Sequence, residues 1–170
     1  MSASSPTGNL PAVTPAHHLR FAFERLVTPP ETASELDAAS NLEITTILLL
    51  DDDAELAETL KCVLQSRNFL VTTAKNGVEG LREVMAMDFD VILCDMLMPT
   101  MPGDMFYLAV QKVKPHLCKR FLFITGHGDD PRTNAFLHKT DGLAIFKPVP
   151  ADELVQMISL VLQRNAQQPG

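Results

Sequence analysis

The stretch "ITTILLLDDDAELAETLKCVLQSRNFLVTTA", residues 44–74, contains two apolar runs separated by a segment of different periodicity. The runs, 44–50 and 69–74, are rich in aliphatic and β-branched side chains, which favour strands. Residues 54–66 between them repeat apolar side chains at helical spacing, on one face: Leu56, Leu60, Val63 and Leu64. The stretch therefore predicts a strand, a helix and a second strand.

The same alternation continues along the chain. Further apolar runs lie at 90–95, 120–125 and 143–148, and further helix candidates at 77–87, 104–113, 131–139 and 151–164. Strict alternation predicts an α/β fold, a five-stranded doubly wound parallel sheet with helices on both faces. Three of the runs are apolar without alternation, as expected for strands buried on both faces: 47–50, 91–94 and 121–124.

The bulk composition limits the classes of partner. The 170 residues carry a formal net charge of -7, which argues against nucleic acid or an anionic membrane as the main partner. No apolar run approaches the roughly 20 residues of a membrane span, and the N-terminus lacks the pattern of a secretion signal. The widely spaced cysteines form no metal or disulfide pattern: Cys62, Cys94 and Cys118. We therefore expect a cytoplasmic protein.

Composition divides the chain near residue 43. Residues 1–43 are rich in Pro, Ser, Thr and Ala, which predicts a flexible extension before a domain at 44–165 and a tail at 166–170. Within the extension, "HHLRFAFERLV" (17–27) predicts either a short docking helix or transient turns, because isolated helices this short are marginal in water. Since "NAQQPG" alone follows Arg164, we expect no DNA-binding or enzymatic output domain after it.

Polar residues stand where the predicted strands end. Residues 51–53, all aspartate, follow the first run, and Asp95 ends the third. Thr125 ends the fourth run and Lys147 lies near the end of the fifth. If these strands are neighbours, the polar side chains converge beyond the carboxyl edge of the sheet. Carboxylates suit Mg²⁺, and a hydroxyl with an ammonium suits phosphoryl oxygens, so the pattern predicts phosphoryl transfer onto a carboxylate.

Each of these residues also has a purely structural explanation. Asp52 with Glu55 fits a helix capping box, and Asp53 is a candidate N-cap in its own right. Asp95 alone would suit the start of a turn before Pro99. Capping explains one of the three consecutive aspartates but not all of them. Because four strand ends carry this chemistry jointly, the functional interpretation is favoured.

Four segments resemble, in the same order, the receiver domain of two-component response regulators: "ILLLDDD" (47–53), "DVILCDMLMPTMPG" (90–103), "FLFITG" (121–126) and "FKP" (146–148). The resemblance covers about residues 44–165. It implies a flavodoxin-like strand order, 2-1-3-4-5, and a phosphorelay signalling module rather than an enzyme with a separate substrate. The region from Thr125 to Pro148 also resembles receivers attached to hybrid sensor kinases.

The resemblance implies a phosphoacceptor and a metal site. Asp95 would accept a phosphoryl group from a sensor histidine kinase or a histidine phosphotransfer protein, and a protein target downstream would read the modification. Mg²⁺ would be bound directly by Asp52, an Asp95 oxygen and the backbone carbonyl of Leu97. Asp51 would act mainly through metal-bound water.

The resemblance also implies the groups that hold the phosphoryl group. Lys147 would pair first with Asp95 and then with the phosphoryl group, and Thr125 would swing in to hydrogen-bond it. Gly126 would keep the approach to the site open. The peptide bond before Pro148 is expected to be cis.

Two positions depart from the usual receiver pattern. Many receivers carry an aromatic switch residue where this chain has Ala144, three residues before Lys147. We expect the nearby Phe146 to lie on the face opposite to Ala144 and to pack in the interior. Leu97, two residues after Asp95, is apolar and cannot orient a hydrolytic water, which predicts slow self-dephosphorylation.

Two other hypotheses compete with this interpretation. One is a Mg²⁺-dependent phosphatase resembling the haloacid dehalogenase type, in which Asp51-x-Asp53 would open the motif. Glu55 stands where that family has Thr or Val, and residues 95–103 would be unexplained. The other is a degenerate receiver that binds partners without phosphorylation, which the complete set of polar residues argues against.

Overall fold

The computed structural model describes residues 44–126 and 130–167. The predicted extension with its candidate helix at 17–27, and the last three residues of the predicted tail, lie outside the described residues. Within them the chain forms five strands: β1 (Thr46–Leu50), β2 (Leu70–Ala74), β3 (Val91–Asp95), β4 (Phe121–Thr125) and β5 (Leu143–Phe146).

The strands form one sheet in the order β2-β1-β3-β4-β5, and every pairing is parallel. The register places Leu50 of β1 beside Cys94 of β3, and Asp95 of β3 beside Ile124 of β4. The carboxyl ends of these central strands therefore lie at the same edge. The predicted five-stranded doubly wound sheet, with the order 2-1-3-4-5, is confirmed.

Helices follow the strands as the periodicity predicts. They are α1 (Ala54–Gln65), α2 (Gly77–Ala86), α3 (Gly103–Val113), α4 (Pro131–Thr140) and α5 (Ala151–Gln167). A 3₁₀-helix, Pro115–Arg120, was not predicted, because six residues are too few to show a periodicity. Asn76 starts α2 by accepting hydrogen bonds from the N–H groups of Val78 and Glu79. The last helix ends two residues beyond the predicted domain boundary.

The sheet separates two apolar layers, and consecutive residues of β1 serve opposite layers. Ile47 and Leu49 pack with buried residues of α1 and α5, whereas Leu48 and Leu50 pack with those of α2 and α3. Residues 47–50 are fully buried, which confirms the expectation drawn from their lack of alternation. Burial on both faces fixes the ends of the central strands, and with them the polar residues that follow.

The helix α4 is attached more lightly than the other four. Of its described residues, one, Thr133, is buried, whereas each other helix buries at least three. Phe136 and Leu137 are partly buried and pack against the layer that contains α2 and α3. This helix directly follows the strand that ends at Thr125, so it is the least constrained neighbour of the strand ends.

The expectation that Phe146 packs on the face opposite to Ala144 is wrong. Residues two apart on a strand share a face, and Ala144 packs against the layer that contains α2 and α3. Phe146 is the last residue of β5, an edge strand, and its side chain is 51% exposed. In the part of the chain that the structure describes, no helix is long and apolar enough to cross a membrane.

Candidate functional site

The carboxyl ends of the neighbouring strands bring the predicted polar residues together. Asp51 directly follows β1, and its N–H donates to the carbonyl of Ala74, 3.2 Å away. Asp95 is the last residue of β3, and Thr125 the last of β4. All three of these polar residues are buried, with exposures of 2%, 4% and 0% in chain order. Lys147, which is partly exposed, directly follows β5, so polar residues from four strand ends meet at one edge.

Lys147 joins two of these carboxylates. Its Nζ lies 2.6 Å from Oδ2 of Asp95 and 3.1 Å from Oδ2 of Asp51. The N–H of Lys147 donates to the carbonyl of Thr125 at 2.9 Å, which holds the lysine backbone at the end of β4. The peptide bond between Lys147 and Pro148 is cis. One ammonium therefore compensates two buried carboxylates that come from different strands.

Backbone donors fix the second oxygen of each carboxylate. Oδ1 of Asp95 accepts a hydrogen bond from the N–H of Leu97 at 3.0 Å. Oδ1 of Asp51 accepts one from the N–H of Asp53 at 2.9 Å. Both are local turns, in which a short acidic side chain bonds the backbone two residues further on. The orientation of each carboxylate is thus set by the loop that follows its own strand.

The pKa values of Asp51 and Lys147 reflect both their burial and the contact between their side chains. Burial raises the pKa of Asp51 above its usual range, although the Asp53 N–H and Lys147 counteract part of the rise. Burial alone would lower the pKa of Lys147, but its hydrogen bonds to Asp95 and Asp51 outweigh that effect and raise it. The lysine is therefore an ammonium at neutral pH, and removing it would leave buried like charges side by side.

Three carboxylates form a group suited to a hard cation. Asp51, Asp52 and Asp95 each offer one oxygen, and these oxygens lie within 4.8 Å of one another. Asp52 is exposed, whereas the other two are buried, so the group opens toward solvent through Asp52. Among the described residues, one ammonium, that of Lys147, pairs with this group of three carboxylates, and the formal excess of two negative charges matches a divalent ion. An all-oxygen donor set of this kind fits Mg²⁺.

Asp53 has a structural role. Its side chain accepts hydrogen bonds from the N–H groups of Glu55 at 3.0 Å and Leu56 at 3.1 Å. Asp53 is therefore the N-cap of α1, one of the two capping alternatives left open by the sequence. Asp52 is free of that role and belongs to the carboxylate group.

The loop after Asp95 depends on a glycine whose role the sequence did not assign. A Cβ at Gly103 would lie 2.5 Å from the carbonyl oxygen of Asp95 and 3.0 Å from Cα of Met96. The N–H of Gly103 also donates to the carbonyl of Met96 at 3.1 Å. In the same loop Thr100 has φ of 70°, in the region that favours glycine. The spacing from Asp95 to Gly103 in the motif was the available signal for this close approach.

A second unassigned residue, Cys94, directly precedes Asp95 in β3. Its thiol donates to the carbonyl of Asp95, with 3.3 Å between sulfur and oxygen. Burial raises the pKa of Cys94 well above the usual range, so the thiol stays protonated. No spacing in the sequence predicted this contact, because a buried cysteine on a strand has the same pattern as any small apolar residue.

Thr125 and Gly126 lie at the carboxyl end of β4, the neighbour of the strand that ends at Asp95. Thr125 is fully buried at the end of its strand. Gly126 is exposed, and a Cβ built there would meet no described atom within 4 Å. Among the described residues, the threonine is therefore buried at this edge, and no side chain packs against the glycine. Their roles toward a phosphoryl group, and the role of the Leu97 carbonyl toward a metal, stay predictions.

Residues 47–159 match the family model of the response regulator receiver domain. Among curated proteins, the transcriptional regulatory protein GlrR of Escherichia coli is 33% identical over 120 residues. That alignment covers 71% of this chain and 27% of GlrR, so this chain spans about a quarter of the relative it matches. The matched family gives the phosphatase hypothesis no support.

Solved structures show the same similarity. The response regulator receiver domain protein of Clostridium thermocellum has a TM-score of 0.64 and 30% identity, and the match covers 73% of this chain and 98% of that one. The chemotaxis protein CheY4 of Vibrio cholerae has a TM-score of 0.64 and 26% identity, with 70% and 99% covered. Both align over nearly their entire length with the part of the chain that carries the strand-end site.

Proposed function

Because the chain belongs to the response regulator receiver domain family, we propose that Asp95 is the phosphoacceptor of a Mg²⁺-dependent switch in two-component signalling. The observation that carries the proposal is the position of Lys147, whose Nζ lies 2.6 Å from Asp95 and 3.1 Å from Asp51. A carboxylate nucleophile repels an incoming phosphoryl group, and a cation held against it relieves that repulsion.

The proposed reaction moves one phosphoryl group between two side chains. An Asp95 carboxylate oxygen attacks the phosphorus of a phosphohistidine, a P–O bond forms, and the P–N bond to the imidazole breaks. The imidazole nitrogen keeps the electron pair and takes a proton from solvent, and the product is an aspartyl phosphate. Asp95 is oriented for this step by the Leu97 N–H at Oδ1 and by Lys147 at Oδ2.

The cation would be held at the carboxylate group. Asp52 and an Asp95 oxygen would bind Mg²⁺ directly with the Leu97 carbonyl, and Asp51 would act mainly through water. When bound, the ion supplies positive charge that stabilises the phosphoryl oxygens. Asp51 also keeps Lys147 in place through its other contact, 3.1 Å from Nζ. Removing Asp51 would therefore affect both the metal and the lysine.

Phosphorylation would change the balance of charge at the end of β4. A phosphoryl group adds about 1.5 to 2 negative charges at pH 7. Thr125, buried beside Asp95, would hydrogen-bond the group, Lys147 would pair with it, and Gly126 would leave the approach open. The helix α4, which follows Thr125 and buries one residue, would respond to that movement.

The partners follow from this chemistry. The phosphodonor would be a sensor histidine kinase or a histidine phosphotransfer protein, and the output a change in protein–protein contact in the cytoplasm. Residues 44–165 would be the receiver module, preceded by an extension at 1–43. The module would catalyse only its own phosphorylation and dephosphorylation, with no contact to nucleic acid or membrane.

An intact-mass experiment tests the proposal. The wild type, Asp95→Asn and Asp51→Asn are incubated with phosphoramidate and MgCl₂, and free phosphate is measured in parallel. We expect the mass of one phosphoryl group on the wild type and none on Asp95→Asn. Steady phosphate release that survives Asp95→Asn but is lost in Asp51→Asn would instead support a phosphatase.

A further inference from the structure

A groove of about 210 Å³ is lined in part by the residues that follow Asp95 in the sequence. Met96 and Leu97, the two residues after Asp95, form one wall, and Pro102 and Phe136 complete the apolar lining. The Leu97 side chain is 52% exposed although the next residue, Met98, is buried. The groove thus runs between the loop after β3 and the lightly attached helix α4.

The lining of the groove carries charge of both signs. Asp104, in the first turn of α3, and Asp130, the N-cap of α4, contribute carboxylates. Arg132 contributes one guanidinium. Asp130 is engaged by the N–H and hydroxyl of Thr133, at 2.9 Å and 2.7 Å. Oδ1 of Asp104 accepts a hydrogen bond from the N–H of the neighbouring Met105, and two carboxylates with one guanidinium give the lining a net formal charge of -1.

We propose that this groove binds an apolar side chain of the protein phosphodonor, with a lysine or arginine of the donor placed against Asp104. The inference rests on the proposed function of Asp95 and names the surface by which its donor is recognised. A protein that brings a phosphohistidine to Asp95 must cover the residues that follow Asp95, and Leu97 is the exposed one of the first three. The groove is therefore continuous with the surface at which transfer occurs.

The size and lining of the groove select this occupant. Ligand pockets typically have about 300 to 1,000 Å³, so a groove of about 210 Å³ suits one side chain better than a cofactor. Four apolar residues line it, which favours an aliphatic or aromatic anchor. The net negative lining favours a basic residue beside that anchor, because opposite charges across an interface set partner choice and the rate of association.

The test compares two phosphodonors on the same variants. Phosphoramidate carries a P–N bond but no protein surface. The second donor is the phosphorylated histidine kinase that transfers fastest to the wild type among those of the source organism. For each variant the ratio of the initial rates, kinase donor over phosphoramidate, is measured at fixed MgCl₂ and salt. A damaged acceptor site lowers both rates and leaves the ratio unchanged.

Asp104→Lys is expected to lower the ratio about tenfold or more, because a lysine there repels the lysine or arginine of the donor. The control, Gln111→Lys, places a lysine further along the exposed face of the same helix and should change the ratio by less than about twofold. Leu97→Asn keeps the shape of the side chain but makes this wall of the groove polar, and it should lower the ratio as well. If Asp104→Lys does not fold, the ratio for Leu97→Asn tests the proposal.

A ratio that stays at the wild-type value in both Asp104→Lys and Leu97→Asn would overturn the docking proposal while leaving Asp95 as acceptor. An equal fall for Asp104→Lys and Gln111→Lys would also overturn it, because net charge alone would then explain the effect. If phosphoramidate fails to modify even the wild type, the proposed function itself fails, and the two failures are therefore distinguishable.

Discussion

Lys147 and Asp95 lie 52 positions apart in the chain, yet a hydrogen bond of 2.6 Å joins their side chains. The same Nζ reaches Asp51 at 3.1 Å. Both carboxylates are almost fully buried, so each needs the lysine for compensation. This single ammonium is therefore the feature on which the strand-end site depends.

Removing the ammonium should destabilise the protein. Lys147→Met leaves two buried carboxylates without their cation, which we expect to lower the free energy of unfolding by about 2 kcal/mol. The figure lies below that for a fully buried pair because the lysine side chain is 25% exposed. Urea denaturation in EDTA measures the change.

The matched control is Lys61→Met, which removes the exposed pair between Lys61 and Glu58 in α1. Exposed pairs contribute little, so we expect a change of less than about 0.5 kcal/mol. Equal losses for the two lysine variants would contradict the assigned role of Lys147.

Gly103→Ala should disturb the loop that positions Asp95. A Cβ there would lie 2.5 Å from the Asp95 carbonyl oxygen, so the backbone of the loop must shift. We expect a loss of about 2 kcal/mol in unfolding free energy and slower phosphorylation by phosphoramidate. Gly126→Ala is the control, because a Cβ there meets no described atom within 4 Å. Similar stability losses in both variants would show that close packing at Gly103 is not the cause.

Thr100 should store strain in the same loop. Its φ of 70° is unfavourable for a β-branched residue, and glycine adopts it freely. We expect Thr100→Gly to raise the free energy of unfolding by about 1 kcal/mol, measured by thermal and urea denaturation. Thr100→Val, which keeps the branch, should give no gain. A loss of stability in Thr100→Gly would refute the expected strain.

The phosphorylated form should be long-lived. Leu97 projects toward solvent two residues after Asp95 and has no polar side-chain atom to orient an attacking water. We expect the wild type to keep its phosphoryl group well beyond seconds after the donor is removed, as followed by intact mass. Leu97→Asn should shorten that lifetime. Loss of the group from the wild type within seconds would contradict the expectation.

The parallel sheet was predictable because its strands leave patterns that the sequence shows directly, whereas the order of the strands was predicted from the resemblance to receiver domains. Fully buried strands appear in the sequence as unbroken apolar runs, and the residue that ends each run can be identified there. Given that order, Asp51, Asp95 and Lys147 are placed at the same edge of the sheet. The alternation of strands and helices predicted parallel pairing but not the order of the strands.

The features that were not predictable depend on three-dimensional neighbours. Both Asp52 and Asp53 fit a capping role, and the path of the loop decides that Asp53 has it. The exposure of Phe146 follows from the edge position of β5, which adjacent residues do not encode. The groove beside Leu97 likewise exists only because α4 lies opposite the loop after β3.

The most direct test of the account is to locate the phosphoryl group. The wild type is phosphorylated with phosphoramidate and MgCl₂ and reduced with sodium borohydride, which converts an aspartyl phosphate to homoserine, and its peptides are sequenced by mass spectrometry. We predict homoserine at position 95 and at no other aspartate. Homoserine at position 51, or none after the wild type has gained the mass of a phosphoryl group, would contradict the central claim that Asp95 is the acceptor.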